Sequence, residues 1–371
     1  MWKEEWDGFV SLINKRVKPA LGCTEPVSTA LAAAYATRLL GQQPERLEIY
    51  VSGNLLKNGM GVGIPGTGKT GLPIAAALGA LCGDPDKGLE VLAHVTPAVV
   101  EAASTMVANN QITITTKETS SVLYAEVIAF FGKQNAKVII RDDHTFVALQ
   151  ELNGKIVHTG SFDSLTTTAE PELSVAMVYE FATMADLNKL SFILEAAKLN
   201  CALMEVGLTE ACGLKIGQSL KANIDKGYLS NDLVVSAMMC SSAASDARMD
   251  GAMLPAMSNS GSGNQGISAT MPVVAIAKKI GASEEQLIRA LILSHLMAIH
   301  IKQHMHTLSA LCAATTAAAG ASAAITWLLG GKQQEVEYAL FNMFGDISGI
   351  LCDGAGCGCS LKVSTLSLIH I

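Results

Sequence analysis

The residues best equipped for chemistry stand near the end of the chain: Cys312, then Cys352, Cys357 and Cys359 within LCDGAGCGCSLK. Thiolate sulfur is a soft donor, and iron–sulfur clusters and zinc are what soft donors select. A cluster held by three cysteines leaves one iron without a protein ligand, able to act as a Lewis acid. The spacing C-x4-C-x-C with a distant fourth cysteine matches neither the paired C-x-x-C of zinc sites nor the ferredoxin runs. Spacing alone leaves a cluster, zinc and buried thiols all open.

Other groups compete for a role. Cys23 and Glu25 in LGCTEP stand at the start of an expected helix, where a thiol's pKa falls and its reactivity rises; a buried inert thiol is the plainer alternative. Residues 258–266, SNSGSGNQG, are too polar to be core. Their side chains and close-set amides suit a carboxylate and an amino group, or form a plain interhelical loop. Asp246, Arg248 and Asp250 read either as a helix-end charge pair or as substrate contacts. His300 and His304, four apart on a helix with His306 just beyond, could present zinc ligands on one face, but no Glu stands beside them as in H-E-x-x-H. Residues 63–70, GIPGTGKT, match the phosphate-loop pattern, with Lys69 and Thr70 in the phosphate and magnesium positions. The run before them is not a buried apolar strand, so a Gly-rich structural or active-site loop is the stronger reading.

The elements that must position these groups fall into three parts. Residues 1–45 read as an N-terminal helical segment of a catalytic domain, from the amphipathic FVSLINKRV and the Ala-rich PVSTALAAAYATRLLG. Residues 46–165 alternate in β-branched runs broken by Gly and Asn turns, an inserted α/β (α+β) subdomain. Residues 166–371 return to helices that carry the cysteines. The expected fold is mostly α, a helical catalytic domain with that insertion set to one side, contributing at most the GIPGTG loop to the site.

Composition narrows the function. Half of the 371 residues are apolar, 16% are charged, and the net charge is −7. No basic block invites nucleic acid or an anionic membrane. The uncharged run 308–331 is long enough to span a bilayer, but its Ala, Thr, Gly and Ser favour a buried helix. Nine cysteines, an odd number mostly in apolar helices, and an acidic start without a signal-peptide core point to a reducing cytoplasm.

Taken together, KPALGCTEPVSTALAAAYA, KNGMGVGIPGTG, AASDARMDGAM, SNSGSGNQGI, LSALC and LCDGAGCGCSLKVST occur in this order. They resemble the bacterial and archaeal L-cysteine desulfidase family (the UPF0597 group), related to the α-chain of iron–sulfur L-serine dehydratases. The resemblance covers essentially the whole chain. It implies β-elimination from L-cysteine to pyruvate, ammonia and sulfide, with a [4Fe–4S] cluster and no pyridoxal phosphate; L-serine ammonia-lyase activity is the alternative, and a phosphate-loop nucleotide-binding protein the alternative of another class. It implies Cys312, Cys352 and Cys359 as cluster ligands, with Cys357 competing for the third place. It makes Cys23, Glu25 and His306 candidates for proton transfer. Thr24, Ser258, Asn259, Ser260, Gly261, Asn264, Gln265 and Lys362 are the expected substrate contacts. Lys69 and Thr70 stand where relatives often have other residues, so the phosphate-loop match reads as an accident inside a family loop. Cys23 is expected close to the three cluster cysteines. The expected partner is a small amino acid, with a homodimer as a candidate assembly. Relatives usually continue with further helices past STLSLIHI, so the chain is expected to end short of them, with one cavity wall open to solvent.

Overall fold

The computed structural model describes residues 2–22, 24–161, 170–305 and 309–367. The chain opens with α1 (Glu5–Arg16), a short strand β1 (Pro19–Ala20) and α2 (Thr24–Leu40). Next come β2 (Arg46–Val51), α3 (Gly53–Gly59), a small hairpin of β3 (Gly63–Ile64) and β4 (Lys69–Thr70), α4 (Leu72–Cys82) and α5 (Pro97–Ala108). Strands β5 (Ile112–Thr116), β6 (Tyr124–Phe131), β7 (Gln134–Arg141), β8 (Val147–Leu152) and β9 (Lys155–Thr159) complete a mixed sheet in the order β5-β2-β6-β7-β8-β9. Helices then dominate: α6 (Val175–Met184), α7 (Leu194–Thr209), α8 (Ile216–Asp225) and α9 (Leu233–Met249). After β10 (Ala256–Met257), which pairs with β1, follow α10 (Gly263–Ile280), α11 (Glu284–Gln303), α12 (Ala313–Leu328), α13 (Gln333–Ile347) and α14 (Cys359–Leu366). The expected class, mostly α with an inserted α/β (α+β) unit, is the one observed.

The sheet follows from alternation. Leu47, Ile49 and Val51 of β2 and Ala136, Val138 and Ile140 of β7 turn to one face and are buried there. α2 and α4 cover that face, and their alanines and leucines share a single core with the strands. β2 and β5 run parallel, and α3 to α5 supply the crossover that parallel neighbours require. Val27, Leu31 and Leu40 of α2 share that core with the strands.

The remaining helices bury a second core around α9 to α12. The uncharged run read as a buried helix contains α12, which is buried along most of its length. No described helix is long and apolar enough to cross a membrane. Small residues set how closely these helices approach. A Cβ on Gly207 of α7 would lie 1.9 Å from the Ala243 carbonyl oxygen of α9, closer than any atom pair tolerates. Gly207→Ala must therefore push two helix backbones apart. We expect a loss of about 1–3 kcal/mol, the usual cost of overpacking, read as a lower urea midpoint; an unchanged midpoint would mean that the two helices are free to separate.

Candidate active site

Backbone pairing gathers the cysteines. Residues 310–312 run antiparallel to 350–352: the Cys312 N–H donates to the Ile350 carbonyl (3.0 Å), and the Cys352 N–H to the Ala310 carbonyl (2.8 Å). Cys312 thus sits at the N-cap of α12. Cys359 opens α14, with its N–H bonded to the Gly356 carbonyl at 2.9 Å. Between them Gly354 has φ +111°, and a Cβ there would lie 2.4 Å from the Lys57 carbonyl oxygen. Only glycine allows the end of α3 to press so closely on the cysteine loop. Lys57 Nζ donates to the Cys352 carbonyl (3.2 Å), and Gly61 pairs with Gly356.

Cys312, Cys352 and Cys359 line one cavity, together with Thr24, Glu25, Ser260, Gly261, Asn264 and Gln265. Four segments far apart in the chain, each singled out by its sequence, therefore meet. Cys357 is not on that lining; burial first, then the charges of Asp250 and Asp246, raise its pKa. Lys362 is not on it either. It donates to the Leu351 carbonyl (2.9 Å) and pairs with Asp353, bracing the cysteine loop. Ser258 and Asn259 stand behind the wall instead of facing the cavity. The Ser258 hydroxyl donates to the Lys18 carbonyl (2.6 Å), and Asn259 Nδ2 to the His295 carbonyl (3.1 Å). Gln265 Nε2 in turn donates to Asn259 Oδ1 (3.0 Å), so this buried pair shapes the loop. Cys23 and His306 lie outside the described residues.

Arg248, Lys302, Asn58 and His144 also line the cavity, outside the expected set of site residues. Arg248, which sequence left between two readings, faces the cavity, while Asp246 turns away to accept from the Gly217 N–H at 3.0 Å. Lys302 of α11 also lines it, and burial lowers the pKa of its ammonium, with Cys352 acting in the opposite sense. Asn58 and His144 come from the inserted unit. The expectation that this unit stands aside, giving at most the GIPGTG loop, is thus corrected: α3 and the turn between β7 and β8 reach the cavity, and residues 63–70 do not line it. Asn58 Nδ2 donates to Glu25 Oε1 (3.1 Å), and the Thr24 hydroxyl bonds Glu25 Oε2 (3.2 Å) and the Gly261 carbonyl (3.0 Å).

Burial dominates the electrostatics. It pushes the Cys312 thiol up to about 11, aided by the neighbouring Cys359 and Cys352, and raises Cys359 as well. Buried thiols of this kind are reluctant to ionise unless a cation joins them. Among the described residues, no three His, Cys, Asp or Glu side chains gather as ligands of one metal ion. A cubane asks for something else: each thiolate takes a different iron, so the sulfurs surround a volume and do not meet at a point. Three soft donors on the walls of one cavity fit that demand.

The phosphate-loop spacing folds as a hairpin. The Thr67 hydroxyl bonds the Ile64 carbonyl (2.7 Å), the Lys69 N–H donates back to that hydroxyl (3.0 Å), and Lys69 and Thr70 are exposed on β4. A phosphate loop instead passes from strand to helix with its amides turned inward. We expect Lys69→Ala to change stability by less than about 0.5 kcal/mol, and magnesium ATP to leave the melting temperature of the parent unmoved. Micromolar ATP binding that disappears in the variant would restore the nucleotide reading.

A profile of the serine dehydratase alpha chain family matches residues 86–368. A UPF0597 protein of Aeromonas hydrophila is 53% identical over 368 residues, covering 98% of this chain and 84% of the relative. A UPF0597 protein of Oleidesulfovibrio alaskensis is 49% identical over 368 residues, covering 98% and 86%. One from Shewanella pealeana is 50% identical over 370 residues, covering 97% and 86%.

Proposed function

Because the chain belongs to the serine dehydratase alpha chain family, in its UPF0597 group, we propose that it is a lyase eliminating sulfide from Cβ of L-cysteine. The products are pyruvate, ammonia and sulfide. The observation that carries this reading is the convergence of Cys312, Cys352 and Cys359 on a cavity whose other walls are Glu25, Arg248 and the start of α10. The three cysteines would hold a [4Fe–4S] cluster, which supplies Lewis acidity from the iron that lacks a protein ligand.

The chain's own residues do the rest. Arg248 has its guanidinium met by the Gly22 carbonyl (3.1 Å) and the Met249 sulfur (3.3 Å), while its buried Nε has no partner. A carbonyl and a thioether leave the charge largely uncompensated, so the site favours an anion such as the substrate carboxylate. Gln265 Oε1, buried on the same cavity without a partner, is an acceptor for the substrate ammonium, with the Glu25 carboxylate nearby to balance its charge. Leu311, Ala314 and Val363 supply apolar wall. Sulfur is more at home against such a surface than a hydroxyl, which asks for hydrogen-bond partners.

L-serine is the second reading, favoured by the family profile, with hydroxide as leaving group. Anaerobically purified protein should show broad visible absorbance that bleaches in air and should release pyruvate from L-cysteine. Faster release from L-serine would move the assignment to ammonia-lyase. Colourless protein that turns over neither amino acid would end it.

A further inference from the structure

Three residues that line this one cavity each carry a buried polar atom without a partner: Arg248 Nε, Gln265 Oε1 and His144 Nε2. The first two suit the ends of an amino acid, and the third has no such assignment. The geometry points to His144 as the catalytic base: Nε2 takes the α-proton of the bound amino acid. The assignment rests on the elimination reading above and names the group that starts the reaction.

The histidine is held as a catalytic group must be. It sits in the turn between β7 and β8, where Asp143 Oδ1 accepts from the Thr145 N–H (2.9 Å) and hydroxyl (2.8 Å). The Ser28 hydroxyl of α2 donates to the His144 carbonyl at 2.9 Å. Its ring packs over Gly261, where a Cβ would stand 3.6 Å from Cε1. A second buried histidine shows what a structural one looks like in this fold. His295 has both ring nitrogens engaged, Nδ1 with Asn259 (3.2 Å) and Nε2 with Thr270 (3.0 Å). His144 Nε2, by contrast, is buried without a protein partner in a residue that lines the cavity, which leaves it available to a bound ligand.

Charge agrees with the role. Burial lowers the His144 pKa, so the ring is neutral and able to accept a proton at neutral pH. Glu25 and Asp143 act in the opposite sense, and their negative charges steady the imidazolium once it forms. Thr24 and Asn58 hold the Glu25 carboxylate in place.

The step balances. The Cα–H bond breaks and its proton goes to Nε2, while its electron pair becomes the Cα–Cβ double bond. The Cβ–S bond breaks with its pair on sulfur, which leaves as hydrosulfide. The aminoacrylate then tautomerises and takes up one water to give pyruvate and ammonium. The imidazolium returns its proton to the departing sulfide or to solvent, and no oxidant is involved.

The test is His144→Gln in the full, anaerobically purified enzyme, measured beside the parent. The variant should keep its visible absorbance and the spectral change on adding L-cysteine. Turnover should fall by about 10²–10⁴-fold, the usual weight of a general base. In deuterium oxide it should lose α-proton exchange from substrate. Exchange within threefold of the parent would overturn the assignment. So would loss of the absorbance, which would make the histidine a structural support. A parent that neither exchanges the α-proton nor releases sulfide overturns the functional reading and this assignment with it. A competent parent with an equally competent variant overturns the assignment alone.

Discussion

Cys352→Ala is expected to purify without visible absorbance and to lose about a thousandfold or more of its turnover. A Lewis-acidic centre is worth several kcal/mol at a transition state, and each 1.4 kcal/mol is tenfold in rate. The fold should survive. The backbone pairing of 350–352 with 310–312 uses no side chain, and the hydrogen-bond contact of Cys352 Sγ among the described residues is a long one, 3.8 Å, to Asn58 Oδ1. Cys312→Ala and Cys359→Ala should behave alike, since both thiols face the same cavity. Cys82→Ala, at the end of α4, and Cys201→Ala, on α7, should keep colour and activity, because neither thiol reaches that cavity. Cys357→Ala separates the two candidates for the third ligand. With Cys357 off the lining of that cavity, its loss should leave the absorbance intact. A coloured Cys352→Ala protein, or a colourless Cys357→Ala protein beside a coloured Cys359→Ala one, would redraw the ligand set.

Much of this site was legible because its parts carry local signatures. Glycines around clustered thiols, a polar loop ahead of an apolar helix and a thiol–carboxylate pair at a helix start each announce themselves within a few residues. Their convergence is visible only in the fold. Residues 310–312 meet 350–352 through backbone pairing that has no side-chain code. His144 is the instructive omission. In RDDHTF it reads as a turn residue, and a lone histidine in a turn carries no chemical pattern. What makes it notable is packing, since α2 and Gly261 enclose it and leave one nitrogen unpaired. Asn58 was hidden in the same way, on a short helix whose sequence speaks only of its ends. The phosphate-loop match erred in the other direction. Its letters are right, but their meaning depends on a strand before and a helix opening directly onto the loop, and here a hairpin closes first. Lys362 followed the cysteines in sequence, yet α14 turns it outward to Asp353.

Arg248→Gln is expected to cost about 2–4 kcal/mol in transition-state binding, roughly 30- to 1,000-fold in kcat/KM, as one charge-assisted contact to a desolvated carboxylate is lost. Position decides this, beyond charge alone. Gly263 opens α10, and a Cβ there would lie 2.1 Å from Arg248 Nε, so the guanidinium occupies the space a side chain would fill. The Ser262 hydroxyl caps the same helix by accepting from the Gln265 N–H at 3.2 Å. Arginine and helix start therefore point into one corner of the cavity, where backbone amides add to the attraction for an anion. Arg248→Lys should rescue little, because an ammonium cannot reproduce the planar fork. Gly263→Ala should imitate the defect without altering any charge, by displacing the guanidinium. The decisive comparison uses L-cysteine and its carboxamide, which keeps the thiol, the α-proton and the amino group but has no carboxylate. The parent should strongly prefer the acid, and Arg248→Gln should lose most of that preference by falling on the acid alone. If the variant keeps the parent's ratio between the two, then Arg248 does not read the carboxylate, and its buried charge serves the cysteine loop through Cys359, whose thiol it draws toward ionisation.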